Sequence, residues 1–118
     1  MDNCRQGIDD RLVAILAKNN IIDGIPAGGS CVSDLGAFSV LSDCNTCNLD
    51  ENMRGSHSRA NATVSFVDPG AGDFHLAAGD VAATGQGANL SADTTLPFHT
   101  DIDGDARPGT WDIGADQH

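Results

Sequence analysis

The sequence has no tyrosine, one tryptophan and four phenylalanines in 118 residues. A core with so few rings is thin and built from small side chains. Lysine and glutamate occur once each, as Lys18 and Glu51. Their near-absence argues against a helical protein, because straight-chain residues favour helices while Asp favours turns and caps. Cations are scarce: six Lys plus Arg face seventeen Asp plus Glu, for a net charge of −11. A duplex-binding surface needs cations to neutralise phosphates, so nucleic acid is excluded as a partner. Anionic membrane surfaces are unsuitable for the same reason. No run of 18 apolar residues exists, so no transmembrane helix and no membrane insertion is expected. What is present is sixteen Asp, fourteen Gly and many Asn, the composition of a secreted protein made of strands and loops.

Four cysteines, Cys4, Cys31, Cys44 and Cys47, allow three complete pairings, which sequence alone does not choose between. Cys44-Asn45-Thr46-Cys47 has the spacing of a zinc half-site or a redox motif, but no second pair or regular histidine pair completes a zinc set. Asn48 stands where a c-type haem motif needs His, and the following residues do not open a helix. A structural disulfide is therefore expected. Cys44 and Cys47 are too close to constrain much by pairing together, so one of them is expected to reach Cys31. Met1-Asp2-Asn3 shows neither the basic region nor the apolar stretch of a signal peptide. The chain is expected to be either a mature segment with an added Met or a short gene of its own.

Residues 12–17 read as a strand or as part of a helix running from Ile8; the Asn19-Asn20 break and the β-branched Ile21-Ile22 favour two strands. Turn residues fill 24–36, and 38–41 reads as a short strand. Residues 42–62 are polar and aperiodic, an excursion longer than an ordinary connection. After residue 62 the rhythm sharpens. Val64-Ser65-Phe66-Val67 is a strand ended by Asp68-Pro69-Gly70. Asp73-Phe74-His75-Leu76 alternates, with Phe74 and Leu76 on one side and His75 on the other, toward solvent. Trp111 and Ile113 alternate inward. Very short strands between Gly, Asp and Asn turns suit a solenoid.

The ordered blocks Phe66-Val67-Asp68-Pro69, Gly72-Asp73-Phe74-His75-Leu76, Asp101-Ile102-Asp103-Gly104, Arg107-Pro108 and Trp111-Asp112-Ile113-Gly114-Ala115 resemble the closing segment of secreted surface proteins of the pectate-lyase-like superfamily. The likeness covers residues 64–116. It implies an all-β fold, a short right-handed parallel β-helix (solenoid) with a C-terminal cap, as a single domain over 1–118. Residues 12–62 would be earlier coils with the polar excursion 42–62, and 63–118 the last coils and cap. It also implies a secreted or cell-surface location. An open first coil would expose strand edges, so a homo-oligomer through 12–24 is expected, with self-capping by residues 1–11 as the rival.

Function follows less sharply. The expected role is a non-catalytic structural or interaction module. The alternative is part or a remnant of a polysaccharide-active enzyme, a lyase or glycoside hydrolase. A lyase needs a base, and Lys18, Arg54 and Arg59, the only ones away from the ends, have no supporting motif. Two carboxyls for hydrolysis are trivially available among sixteen Asp. No catalytic residue is assigned, and carbohydrate is the candidate ligand class. His57, His75 and His99 show no metal spacing. No cofactor is expected, with Ca²⁺ the one candidate ion: Asp101, Asp103, Asp105 and Asp112 occupy positions 1, 3, 5 and 12 of an EF-hand-like count. Ala106, Arg107 and Pro108 interrupt that pattern, and the competing reading pairs Arg107 with one of these carboxylates. The structural residues are Cys31, Cys44, Cys47, Arg107 and Trp111. Asn61-Ala62-Thr63 and Asn89-Leu90-Ser91 are glycosylation sequons.

Overall fold

The computed structural model describes residues 6–8, 15–32, 39–51 and 53–118. Cys4 and the candidate cap 1–11, apart from 6–8, lie outside them, as does 12–14. Among the described residues the elements are β1 (Gln6–Ile8), β2 (Ile21–Ile22), β3 (Ser30–Val32), β4 (Thr46–Cys47), β5 (Phe66–Asp68), a 3₁₀ turn (Pro69–Ala71) and β6 (Asp73–Leu76). The protein is all-β with almost no helix. The sheets among the described residues are three two-stranded pairs: β1 with β3 and β2 with β4, both parallel, and β5 with β6, antiparallel.

This corrects the expected parallel β-helix: among the described residues there is no solenoid. The decisive element is the β5–β6 connection. Parallel neighbours need a crossover of a dozen or more residues, and only the 3₁₀ turn and Gly72 separate Asp68 from Asp73. The chain can only fold back as a hairpin. The Asp68 carboxylate accepts the Ala71 N–H at 3.2 Å, and Gly72 leaves the turn in the left-handed region at φ 83°, where a side chain would be strained. Beyond Leu76 no strand forms. Loops there are held by isolated antiparallel bridges, Gly87 with Trp111 and Thr100 with Ala106.

The 42–62 stretch is not an excursion. Its Thr46 and Cys47 pair with Ile21 and Ile22, and Thr46 also bridges Arg59. Ser42, Asn45, Thr46 and Cys47 are all completely buried. Polar residues can line a core here because their groups act as backbone. Asn45 Nδ2 donates to the Ala17 carbonyl at 2.9 Å, and its Oδ1 accepts from Asn20 N and Nδ2. Asn48 accepts from Ile25 N and donates to Ile25 O; Asn19 does the same with Ala88. Each amide imitates a strand neighbour, so these buried amides are satisfied, while the Thr46 hydroxyl is buried without a partner.

The short strand read at 38–41 is also corrected in its described part. Ser42 N donates to Ser39 O at 3.0 Å, closing a turn whose Val40 and Leu41 are exposed. Of the strand read at 12–17, Ala17 instead donates its N–H to the Ser42 hydroxyl at 3.0 Å, and Ile15 O accepts from Ser39 N.

Strand β2 divides two apolar clusters. Ile22 joins Ala17, Ile25, Cys31, Val32, Cys47 and Met53, while Ile21 packs against the cluster of Cys44, Val64, Leu76, Ala82, Ala83 and Ile113. Alternation along a strand puts adjacent side chains on opposite faces, so two residues serve two cores. The disulfide Cys31–Cys47 ties β3 to β4 inside the first. Asp80 fastens the second: its carboxylate accepts from Ser65, Ala83 and Thr84 N–H groups. Burial alone would raise the Asp80 pKa, but these donors hold it below the ordinary carboxylate value.

Candidate functional site

A groove of about 750 Å³ lies between the β5–β6 hairpin, the β2 segment and the C-terminal loops. The hairpin supplies Phe66, Asp73, Phe74, His75 and Leu76. The opposite walls come from Asn20, Ile21 and Asp23, and from Ile102 and Asp116. Alternation sends Leu76 into the core at 2% exposure, yet Phe74, expected on the same side, is 60% exposed. The hairpin edge has no cover at that point, so Phe74 packs edge-on against Phe66, with ring centroids 5.6 Å apart. Asp116 reaches across to accept the Leu76 N–H at 2.7 Å, closing the end of the groove.

His75 is half-exposed rather than free. Its Nδ1 meets Asp73 Oδ1 at 2.6 Å and its Nε2 meets Asp103 Oδ2 at 3.1 Å. A ring between two carboxylates donates from both nitrogens only as the imidazolium. The hydrogen bonds to Asp73 and then Asp103 raise the His75 pKa, and the His75 ring and N–H lower that of Asp73. His75 thus clips the 101–105 turn to the hairpin. That stabilisation is complete below the unfolded histidine value of about 6.5 and is lost as pH rises through the higher folded value. We expect an NMR ring titration of His75 with its midpoint above about 6.5, falling when Asp103→Asn removes one partner; an unshifted midpoint contradicts the clip.

The Ca²⁺ candidates do not assemble. Asp101 Oδ1 accepts from Asp103 and Asp105 N–H groups, and Asp112, 1% exposed, accepts from Gly85 and His118 N–H groups. No convergent donor group among the described residues holds more than one of the four. Arg107 is buried, but its partners are carbonyls rather than the expected carboxylate. Nη1 donates to Asp112 O at 3.3 Å, and Nη2 to Gly114 O and Asp116 O at 2.8 and 3.0 Å. The peptide oxygens need donors, and the acids are already occupied by N–H groups. The guanidinium also lies against Phe98 and Trp111, 5.4 and 5.3 Å from their centroids. Burial lowers the Arg107 pKa, opposed by the charges of Asp101, Asp112 and Asp116.

Trp111 is core at 1% exposure, Cys31 and Cys47 form the disulfide, and Cys44 is a buried free thiol. Lys18 is paired with Asp93 at 2.6 Å, holding that carboxyl at about 2, and Arg59 donates to Val81 O. Neither they nor Arg54 line the groove. Both sequon asparagines, Asn61 and Asn89, are exposed. The described part of the expected oligomer segment, 15–24, buries Ala17, Asn19 and Ile22 within the chain itself. The groove residues Asp23, Asp73, Phe74 and Asp116 were missed as a site; Phe74 was read on the same side as Leu76, and the local pattern carries no signal of its exposure. Among the described residues no helix is long and apolar enough to cross a membrane. No family model, curated protein or solved structure matches the chain.

Proposed function

We propose that this chain is a non-catalytic interaction module of an extracellular protein, and that its groove takes a neutral sugar. The observation that carries the reading is Phe74, 60% exposed beside a groove whose polar lining is carboxylate, amide and one histidine, without Lys or Arg. A sugar ring offers an apolar C–H face to an aromatic platform and hydroxyl donors at its edge. Asp23, Asp73 and Asp116 supply acceptors for those donors. The net charge of −11 repels uronate polymers, so the ligand is uncharged. The buried disulfide supports an oxidising compartment, and the likeness of 64–116 to secreted surface proteins supports the same placement. The lyase alternative finds no Lys or Arg base in this groove, and its one histidine is held between Asp73 and Asp103.

NMR titration with soluble neutral oligosaccharides tests the proposal. Shifts should centre on 73–76 and 102, disappear in Phe74→Ala, and be absent with oligogalacturonate. No shift with any neutral sugar, or equal shifts with the uronate, overturns it.

A further inference from the structure

A second pocket, of about 600 Å³, lies away from the groove, between residues 43–44, the 56–59 loop, which ends at Arg59, and the 85–88 segment. Three chemically different donors meet in it: a thiol from Cys44, an imidazole nitrogen from His57 and a carboxylate oxygen from Asp43. These atoms all lie within 4.8 Å of one another. We propose that Asp43, Cys44 and His57 form a zinc site with one open coordination position facing this pocket.

The local backbone brings the three together. Adjacent residues in an extended chain point to opposite faces, but Cys44 adopts φ 55°, a left-handed conformation rare outside glycine. That turn lets Asp43 and Cys44 address one pocket. Asp43 is pinned by its N–H to Ala17 O at 3.2 Å and its carbonyl to Asn19 N at 3.4 Å. The His57 loop is pressed onto it: His57 N donates to Asp43 Oδ1 at 2.9 Å and Nδ1 lies 2.6 Å from Oδ2. Such an approach requires Gly55, at φ 93°, where a Cβ would stand 2.3 Å from Asp43 Oδ1 and 2.5 Å from Ser42 O. Ser58 closes the loop by donating to Arg54 O at 2.6 Å.

The donor set selects the ion. Calcium and magnesium take oxygen ligands, whereas one thiolate, one imidazole and one carboxylate with a vacant fourth position suit tetrahedral Zn²⁺. Bond lengths of about 2.0–2.3 Å need only a modest closing of the thiol and a slight parting of the His57–Asp43 contact. The His57 side chain is 70% exposed, which gives the ion a way in. A free thiol carries its proton at neutral pH, and the thiolate is the metal ligand. On binding, the S–H bond breaks and its proton leaves to solvent. The His57 ring proton moves to Nε2 as Nδ1 takes the ion.

Cobalt(II) titration of the oxidised protein tests this directly. One equivalent should produce a thiolate-to-cobalt charge-transfer band, displaced by Zn²⁺. Affinity should rise about tenfold per pH unit, for one proton released. Cys44→Ser should abolish the band, and His57→Ala, on an exposed loop that leaves the core intact, should weaken binding at least tenfold. Cys4→Ser should leave the band unchanged. Absence of the band, its persistence in Cys44→Ser or undiminished affinity in His57→Ala, or its loss in Cys4→Ser, overturns the proposal. Should Cys44→Ser fail to fold, His57→Ala decides alone.

Discussion

Trp111→Ala should lower the stability of the protein by about 3–5 kcal/mol, the range for removing a fully buried large aromatic. The side chain is 1% exposed, lies 5.2 Å from the Phe98 centroid, and donates Nε1–H to the Arg107 carbonyl at 3.0 Å. Its loss opens a cavity and also removes one of the two rings that cover the Arg107 guanidinium. Arg107 in turn holds the carbonyls of Asp112, Gly114 and Asp116, so the C-terminal loops should loosen together. Trp111→Phe keeps most of the packing but leaves the Arg107 carbonyl short of a donor, for a smaller loss of about 1–3 kcal/mol. Denaturant unfolding followed by circular dichroism measures both, since Trp111 is the only tryptophan and its fluorescence goes with it. A loss under about 1 kcal/mol for the alanine variant, far below the core range, would show that the Phe98–Arg107–Trp111 stack does not hold the end of the chain.

The second large effect belongs to Cys31–Cys47. The bond closes a span of 16 residues, and constraining a loop of that length in the unfolded chain contributes about 3 kcal/mol. Small domains have about 5–15 kcal/mol in total, and this one has few large side chains to draw on. The double variant Cys31→Ala/Cys47→Ala should therefore unfold at clearly lower denaturant. Both sulfurs sit in residues with 0% exposure, so a reductant should act slowly on the folded protein and quickly once denaturant opens it. Equal unfolding midpoints for the two forms would mean that β2–β4 pairing and the asparagine amides hold the first core unaided.

What the sequence made legible was local. The β-branched pair Ile21-Ile22, the stop at Asp68-Pro69-Gly70 and the inward Leu76, Trp111 and Ile113 follow from propensities that act over a few residues, but strict alternation fails at Phe74, which is exposed, and at Asp112, which is buried. The direction of pairing was not legible in the same way. Strands at 66–68 and 73–76 fit a stacked coil and a hairpin equally well by pattern, and the loop length between them decides. The burial of 42–48 was hidden because Asn45, Thr46 and Asn48 look like solvent residues until their partners, Ala17, Asn20 and Ile25, are known. Arg107 illustrates the same limit: its charge suggested a carboxylate, while the unmet need was on peptide oxygens. The Asp43–Cys44–His57 group depends on a left-handed Cys44 and a close approach at Gly55, neither of which periodicity reports.

The asparagine pairing also sets how the protein ages. Asn19 and Asn48 each use both halves of the amide, accepting an N–H and donating to the carbonyl of the same residue. Hydrolysis to aspartate preserves the shape but turns the donating half into a second acceptor, which then faces a peptide oxygen with no proton between them. At Asn45, with no exposed surface, the new charge would also be buried without a counter-ion, a costly arrangement. In a chain already carrying sixteen aspartates, one more acid is chemically unremarkable on the surface. At these positions the same conversion, accumulating over the lifetime of the molecule, would unpick the ladder from within.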